Sequence, residues 1–491
     1  MKNIFLLAII IFCQSILCLG QAPKVIYWLH GFGGNKSTWG QAADATDYFF
    51  SQSSLLNSYQ PYNVYSRKLE YTMANSVESG ANDILTSLPV IENADRNSSI
   101  FGNADFSKGF VICHSLGGIV ARKVDQKYDI GGVNLPNRQI HGIVTFATPH
   151  TGAQLLAEEN TKVKTGNIPK YIESACNDLL LGPATDAIYD IKGFVGFLAN
   201  NFVSPEKIEQ GVNFICNLST SSLETFFLPY NQPIANDLKP NSIVINNLQT
   251  VTSNLPKVAF YGVEDNGSEL WRIVSSSLTT KPNSTDYFID PTKDDDLKIA
   301  AENGLHYYFS AYKYWNDQII ELTNAGRTDY ISAFDMYARR DAYYKGYQWW
   351  LNANDNYLRI IGGLIPKVTS TPGFDCNCNE YDYDGFLVNT WTSTVTDVNA
   401  CHNISTFIDC NPVPTTIYDY SEEHVDNDGL VTKPSAVAFP GLDTPNDPGL
   451  PNKAPMLRSN HSQLTNDFNT RDRLKELFNG DYGRFFKTLN R

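Results

Sequence analysis

Ser115 is the side chain of this 491-residue sequence whose neighbours point most directly to nucleophilic chemistry. Residues 110–119 read Phe-Val-Ile-Cys-His-Ser-Leu-Gly-Gly-Ile, so an apolar run enters the serine and a glycine-containing segment leaves it. The pattern predicts a strand, a sharp turn and a helix, which strains the serine backbone and lifts its hydroxyl above the helix N-terminus. Small residues two positions before and after the serine, Cys113 and Gly117, would let strand and helix approach closely. Glycine is more usual at the first of these positions, and a thiol is small enough to replace it.

A second segment could supply backbone donors for a developing oxyanion. Residues 24–29 (Lys-Val-Ile-Tyr-Trp-Leu) predict a buried parallel strand, and residues 30–34 (His-Gly-Phe-Gly-Gly) follow as a loop whose glycines expose N–H groups. The expected donors are the N–H of Phe32 and the N–H of Leu116, directly after the serine. A serine motif alone would fit an ordinary turn before a helix, but the glycine loop favours acyl-transfer chemistry.

Three motifs in this order resemble the secreted bacterial lipases and related esterases of the α/β-hydrolase fold. They are residues 30–34, residues 114–118 (His-Ser-Leu-Gly-Gly) and residues 148–152 (Thr-Pro-His-Thr-Gly), the last of which ends an apolar stretch at 140–146. The resemblance implies a trimmed, mostly parallel sheet of about six strands flanked by helices, with a helical lid insertion and a cysteine-containing insertion.

The resemblance also implies a catalytic triad. In those lipases the acid lies in an Asn-Asp-Gly-(Leu/Val)-Val segment and the base follows an Asn or Asp, which places them here at Asp428 and His461. The chain order Ser115, Asp428, His461 is the order that the fold requires. Ser115 would attack the ester, His461 would take and return the proton, and Asp428 would hold the imidazole tautomer.

Two other carboxylates compete for the role of the acid. Asp265 comes just after a predicted strand at 257–263, where many α/β-hydrolases keep the triad acid. Asp426 is a minor third candidate with a surface-loop alternative. We prefer Asp428 because the lipases that this chain resembles also place a long insertion after that strand, with Asn-Asp-Gly-Leu-Val beyond it.

The N-terminus predicts export. Residues 4–18 form an apolar run after Lys2, too short for a convincing membrane span, and indicate a signal peptide cleaved near Gly20. A lipoprotein is less favoured, because Leu17 stands where a lipobox has a small residue. We expect a secreted or periplasmic protein with no transmembrane segment in the mature chain. The predicted segments are a signal peptide (1–20), the first part of a hydrolase core (21–152), a lid or cap (153–236), a core strand (237–265), a helical and cysteine-rich insertion (266–423) and the C-terminal part of the core with acid and base (424–491).

Both insertions contain apolar segments with two interpretations. Residues 188–203 are mostly apolar and lie where lipases keep a mobile lid, but they fit a permanently packed helix equally well. In the second insertion, a helical pattern from Leu297 is rich in tyrosine and tryptophan. The spacing of these aromatics favours core filling over a sugar- or acyl-binding surface.

Seven cysteines remain after the predicted cleavage. Cys113 lies in the elbow strand and is the expected free thiol, whereas six could form three disulfides in an oxidising compartment. Cys176 could pair with Cys216, and a cluster of four would staple the second insertion. A four-cysteine zinc site is the rival for that cluster, but a single residue between its first two members does not suit a zinc knuckle. The cluster consists of Cys376, Cys378, Cys401 and Cys410.

Charge and motifs set expectations for ligands. A net charge of -14 argues against a nucleic-acid partner, because phosphate binding needs clustered Lys and Arg. Lipases with the Asn-His signature often carry a calcium-binding Asp two residues after the histidine, but Gln463 stands there. Asp382, Asp384 and residues 294–296 could bind Ca²⁺, although isolated acidic clusters are more often solvated surface. We expect no cofactor.

The sequence therefore predicts a secreted serine hydrolase, lipase-like, that cleaves lipid or other hydrophobic esters through an acyl-serine intermediate. An alternative is a deacylase or phospholipase acting on a more complex lipid, since the same three motifs occur in inositol-deacylase-like hydrolases. An alternative of another class is a surface binding protein on a hydrolase scaffold. The intact Ser, acid and His argue against that alternative.

Overall fold

The computed structural model describes residues 22–46, 63–73, 75–99, 101–130, 138–157, 233–265, 267, 269–270, 272–273, 288, 290, 295–326, 330–401 and 407–488. The predicted signal peptide (1–20), the predicted lid segment (188–203), Cys176, Cys216 and Asp294 of the predicted acidic cluster (294–296) lie outside these residues. The chain divides into two compact units: the first is Met1–Gly363 with Asp426–Arg491, and the second is Leu364–Val425.

The first unit is built on a sheet of six strands: β1 (Lys24–Leu29), β2 (Val64–Lys68), β3 (Asp105–His114), β4 (Ile143–Phe146), β5 (Lys257–Val263) and β9 (Lys453–Leu457). Every neighbouring pair is parallel, in the order β2-β1-β3-β4-β5-β9. All six residues of β1 and all four of β4 are buried, as expected for parallel strands covered by helices on both faces. The predicted fold, an α/β-hydrolase sheet of about six strands, is confirmed.

Helices cover both faces of this sheet. The helices of the first unit are α1 (Gly40–Thr46), α2 (Val77–Arg96), α3 (Leu116–Ile130), α4 (Pro233–Asp237), α5 (Ile243–Gln249), α6 (Asp295–Asn324), α7 (Tyr330–Ile361), α8 (Lys433–Ala436) and α9 (Phe468–Asn479). Because side chains alternate along a strand, β1 contributes to two cores. Val25, Tyr27 and Leu29 pack with α2 and α3, while Ile26 and Trp28 pack with α1 and α9. Each such buried side chain stabilises the fold by about 1.5–3 kcal/mol.

The second insertion leaves and rejoins the core at the end of β5. The backbone N–H of Glu264, just after the strand, donates to the carbonyl oxygen of Asn427 at 2.8 Å. Between these residues, α6 and α7 pack against each other as a long hairpin, and Phe309 contacts Tyr347 while Tyr312 contacts Tyr344 across it. These four aromatic residues therefore meet between the two helices.

The second unit is an antiparallel three-stranded sheet in the order β7-β6-β8, formed by β6 (Leu364–Tyr381), β7 (Leu387–Val395) and β8 (Ile408–His424). Its buried cluster consists largely of cysteines. Cys376 is bonded to Cys401 and Cys378 to Cys410, so the prediction of disulfides in this cluster is confirmed. Cys113 is a free, buried thiol.

Candidate active site

Ser115 lies at the turn between β3 and α3 with a left-handed backbone conformation, at a φ of 50°. A side chain rarely adopts this region, and it does so here because backbone bonds hold the turn from both sides. The N–H of Ser115 donates to the carbonyl of Phe146 at 2.9 Å, and its own carbonyl accepts the N–H of Gly118 at 3.1 Å. The structure thus places the serine on the sharp strand-to-helix turn that the sequence predicts.

Glycines let three segments converge on this turn. A Cβ on Gly31 would lie 2.9 Å from the Cβ of Ser115, and a Cβ on Gly117 would lie 2.5 Å from the carbonyl oxygen of His30. A Cβ on Gly118 would overlap the side chain of Thr148. Real Cβ atoms do not approach so closely, so the loop after β1, the start of α3 and the segment after β4 meet only because these positions lack side chains.

His461 and Asp428 form a buried pair. The Nδ1 of His461 donates to Oδ2 of Asp428 at 2.8 Å, and the two residues are 7 % and 1 % exposed. The other oxygen, Oδ1, accepts the backbone N–H groups of Leu430 at 3.0 Å and Val431 at 2.7 Å. With its donors fixed in this way, the carboxylate can hold the imidazole with its proton on Nδ1 and leave Nε2 available as a base.

The three candidate acids have different partners. Asp265 lies 3.1 Å from the guanidinium of Arg458 and Asp426 lies 2.9 Å from the ammonium of Lys433; both carboxylates are more than 40 % exposed. Asp428 instead packs against Gly262 near the end of β5. The segment that carries Asp428 therefore lies at the end of β5, where the sequence also placed Asp265. Of the three candidate acids, Asp428 is the one that contacts His461.

His114 connects the histidine loop to the serine turn. Its Nε2 donates to the carbonyl oxygen of His461 at 2.9 Å, and the two imidazole rings are 4.7 Å apart. Burial holds the pKa of His114 well below its usual value. The charges of His461 and His30 lower this pKa further, whereas the hydrogen bond to the backbone of His461 acts in the opposite direction. His114 is thus a neutral donor that fixes the main chain of His461 beside the residue preceding Ser115.

The expected oxyanion donors lie next to the same turn. Leu116 is the first residue of α3, where backbone N–H groups have no acceptor within the helix. Phe32 follows Gly31, which packs against Ser115. Two backbone amides beside a serine hydroxyl are the arrangement that stabilises a tetrahedral oxyanion during acyl transfer.

A buried ion pair next to the segments that carry Asp428 and His461 was not predicted from the sequence. The Nε of Arg272 donates to Oε2 of Glu264 at 2.6 Å, and both side chains are fully buried. Burial raises the pKa of Glu264 to about 7, although Arg272 acts in the opposite direction. Arg272 also donates to the carbonyl of Arg458 at 2.6 Å, close to the histidine loop. No sequence pattern marks Arg272, because it lies in a long insertion with no motif of its own.

The described residues contain no group of three or more His, Cys, Asp or Glu arranged to hold a metal. The carboxylate of Asp382 accepts the N–H groups of Asp384 and Phe386 at 3.0 and 2.8 Å and so closes a turn. Of the helices in the described part of the chain, none is both long and apolar enough to cross a membrane.

The topology and the elbow define an α/β-hydrolase: a parallel sheet, a serine at the turn after β3, an acid loop beside the end of β5 and a histidine after β9. Residues 21–179 match the family model described as "PGAP1-like alpha/beta domain". The chain thus has the α/β-hydrolase fold, and the family model matches about a third of its length. A comparison with curated proteins found no match.

Solved structures with similarity to the chain include α/β-hydrolases and a phospholipase. Phospholipase PlaB from Legionella pneumophila is 13% identical with a TM-score of 0.26 over 50% of this chain and 40% of its own, so this chain spans less than half of that protein. An extracellular α/β-hydrolase from a Paenibacillus species is 14% identical, with a TM-score of 0.24 over 49% of this chain and 77% of its own. The peroxisomal α/β-hydrolase Lpx1 from Saccharomyces cerevisiae is 15% identical, with a TM-score of 0.24 over 50% and 64%. At these TM-scores the fold assignment rests on the sheet topology above.

Proposed function

We propose that this protein is a serine carboxylic-ester hydrolase that cleaves lipid or other hydrophobic esters through an acyl-Ser115 intermediate. The observation that carries the proposal is the buried bond between His461 and Asp428, held beside the strained serine turn by His114. A nucleophile, a base and an acid that orients the base are the minimum set for this chemistry.

The mechanism assigns one role to each catalytic residue. The Nε2 of His461 takes the proton of the Ser115 hydroxyl as its oxygen attacks the ester carbonyl, and then gives the proton to the departing alcohol. Asp428 stabilises the imidazolium formed between these steps. Water then attacks the acyl-serine with His461 again as the base, which releases the carboxylic acid and restores the serine.

Backbone amides stabilise the charge that develops during attack. The N–H groups of Phe32 and Leu116 are the proposed donors to the tetrahedral oxyanion. Because these amides belong to a glycine loop and to a helix start, both are held in place before substrate arrives. No metal or cofactor enters this mechanism.

The choice between a simple lipase and a deacylase or phospholipase acting on a more complex lipid depends on the head group. A panel of p-nitrophenyl esters, emulsified triglyceride and phospholipid vesicles separates them by product analysis. A binding protein on a hydrolase scaffold would convert none of these substrates and would not react with a fluorophosphonate.

We also propose export to an oxidising compartment. The apolar N-terminal run supports a signal peptide ending near Gly20, and the two disulfides of the second unit fit an oxidising environment. N-terminal sequencing of the mature protein, recovered from the periplasm or the medium of an expressing bacterium, tests this directly. A mature protein that still begins at Met1 would contradict it.

Replacing the nucleophile tests the whole mechanism. Ser115→Ala should fold normally and lose ester hydrolysis by about 10⁴-fold or more, because the acyl intermediate cannot form. Ser107→Ala, an exposed position on the same strand, is the matched control and should retain wild-type activity. Hydrolysis of p-nitrophenyl esters and labelling by a fluorophosphonate are the measurements, and near-wild-type turnover in Ser115→Ala would overturn the proposal.

A further inference from the structure

The direction of the Phe32 amide is set by hydrogen bonds to the opposite side of its own peptide group. In a planar trans peptide the N–H and the C=O point in opposite directions, and the carbonyl opposite the Phe32 N–H is that of Gly31. That carbonyl accepts the N–H of Gly34 at 3.2 Å and the Nδ1 proton of His30 at 2.9 Å. Both donors lie within the glycine loop, so the loop needs an external support.

Tyr71 provides one such support. Its hydroxyl donates to the carbonyl oxygen of His30 at 2.8 Å, and its ring stacks on the His30 imidazole at 4.4 Å with an interplanar angle of 8°. Both residues are buried, at 3 % and 1 % exposure. The same His30 carbonyl faces Gly117, next to the second proposed oxyanion donor.

The Tyr71 ring itself cannot shift easily. A Cβ on Gly80 of α2 would lie 2.9 Å from a ring carbon of Tyr71, so helix and ring are in close contact. Burial raises the pKa of Tyr71 well above its usual value, which keeps the hydroxyl protonated and able to donate. The Tyr71 hydroxyl thus links α2, against which its ring packs, to the glycine loop (residues 30–34) through one hydrogen bond.

Glu70 supports the two ends of the same loop. One carboxylate oxygen accepts the backbone N–H of Lys36 at 2.8 Å, and the other lies 3.2 Å from Nε2 of His30. The side chain therefore spans residues 30–36 from the outside, where it is half exposed.

We propose that Tyr71, assisted by Glu70, is a positioning residue of the oxyanion hole: its hydrogen bond to His30 aims the Phe32 amide at the oxyanion. The proposal rests on the proposed function, because an oxyanion exists only if Ser115 attacks an ester. Tyr71 is buried and acts through the backbone of His30, so its loss should weaken transition-state binding without weakening substrate binding.

Tyr71→Phe tests this, because it removes only the hydroxyl. The matched control is Tyr27→Phe on β1, whose buried hydroxyl has no hydrogen-bond partner among the described residues. The measurements are kcat and KM on a p-nitrophenyl ester, the inhibition constant of a trifluoromethyl ketone, whose adduct carries an oxyanion, and the melting temperature. We expect Tyr71→Phe to lower kcat and ketone affinity by about tenfold each with KM unchanged, as for the loss of one hydrogen bond. Tyr27→Phe should match wild type in both.

Glu70 gives an independent second test. Glu70→Gln keeps an oxygen that can accept the Lys36 amide, whereas Glu70→Ala does not. We expect Ala to lower ketone affinity by about tenfold and Gln to restore most of it, again on the scale of one hydrogen bond.

The outcomes separate this proposal from the proposed function. If wild type reacts with a fluorophosphonate but Tyr71→Phe keeps wild-type kcat and ketone affinity, only the positioning role is overturned. A lower melting temperature with unchanged ketone affinity overturns it as well, because the hydrogen bond then serves stability alone. If wild type neither hydrolyses esters nor reacts with the fluorophosphonate, the hydrolase function fails and the positioning role with it.

Discussion

The two oxygens of the Asp428 carboxylate accept hydrogen bonds from different donors. Oδ1 is occupied by the amides of Leu430 and Val431, and Oδ2 receives the Nδ1 proton of His461. The first pair of bonds fixes the carboxylate, and the second fixes the tautomer of the base. An asparagine at this position could still accept the backbone N–H groups of Leu430 and Val431. Its amide N–H would instead donate to Nδ1 of His461 and favour the opposite tautomer.

Asp428→Asn should therefore fold and lose about 10⁴-fold in kcat, by the tautomer effect known in serine proteases. Asp265→Asn should cost far less, because Asp265 pairs with Arg458 at a half-exposed position. Steady-state kinetics of both variants on one soluble ester decide between them. A larger loss in Asp265→Asn would move the acid to Asp265.

The sequence predicted the residues that have motifs and missed the residues that support them. Ser115 and Phe32 were predicted because glycine-rich turns leave a local pattern, and Asp428 was predicted by resemblance rather than by spacing. Glu264 and Arg272 form their contact through tertiary packing across eight residues of an insertion, so no local pattern reports it. Tyr71 was missed for the same reason: a tyrosine at the end of a loop predicts nothing about the carbonyl it will contact.

At the scale of elements, the close approach of β1 to α3 determines the position of the glycine loop (residues 30–34). The carbonyl oxygens of Leu29 and His30 face Gly117, at 3.0 and 2.5 Å from a Cβ built there. These partners are backbone atoms and cannot rotate away. Any side chain at this position must push the strand end from the helix start.

Gly117→Ala should lower stability by about 1–3 kcal/mol through overpacking. It should also lower kcat by about 100-fold, since a displacement near 1 Å misplaces the oxyanion donors. Gly40→Ala, at the start of α1 where the nearest atom is 4.0 Å away, is the control and should leave both unchanged. Wild-type kcat in Gly117→Ala would show that the loop tolerates displacement.

Helix α9 begins with a buried acid. Asp467 accepts the N–H and hydroxyl of Thr470 at 2.7 and 2.8 Å and is fully buried. Burial raises its pKa to about 6, although hydrogen bonds from Ser459 and Thr470 act in the opposite direction. The unfolded chain ionises this group near its ordinary pKa of about 4, so the folded state holds more protons between these values and stability falls as the pH rises through them.

Asp467→Asn should remove this pH dependence, because an amide oxygen still caps the helix and carries no charge. Relative to wild type, the variant should gain about 2–3 kcal/mol in the free energy of unfolding between pH 4 and pH 7. Urea unfolding at both pH values measures it. Asp472→Asn, on the exposed side of the same helix, should show no such gain. An equal change in both variants would contradict the assignment to Asp467.

At the scale of the whole molecule, the two units are stabilised in different ways. The first has two large apolar clusters on the faces of its sheet. The second has a small cluster in which three cysteines pack with a few partly buried residues such as Phe374 and Trp391. Four strands of the parallel sheet were predictable because β1, the second half of β3, β4 and β5 are apolar runs. The two edge strands, β2 and β9, carry polar and charged residues and were not predicted. The antiparallel pairing of the second unit was not predictable either, because its strands are mostly exposed and carry little hydrophobic pattern.

Reduction should therefore affect the second unit first. Its disulfides span 25 and 32 residues, and each contributes about 3.5 kcal/mol in the chain-entropy model. With a reductant under native conditions we expect proteolysis confined to residues 364–425 while ester hydrolysis persists. The double variant Cys376→Ser/Cys401→Ser should show the same cleavage without reductant. Loss of hydrolysis in step with cleavage would show that the units depend on each other.

The hydrogen bond between Glu264 and Asn427 has a consequence for timing. Synthesis proceeds from the N-terminus, so β1 to β5 can pair and form the serine elbow while everything after residue 264 is still absent. Asp428, β9 and His461 can join that sheet only after the entire insertion has emerged. A nascent chain thus carries a nearly complete scaffold with no base to activate its serine. Under the proposed mechanism, Ser115 is inactive until the segment that carries His461 has joined the sheet.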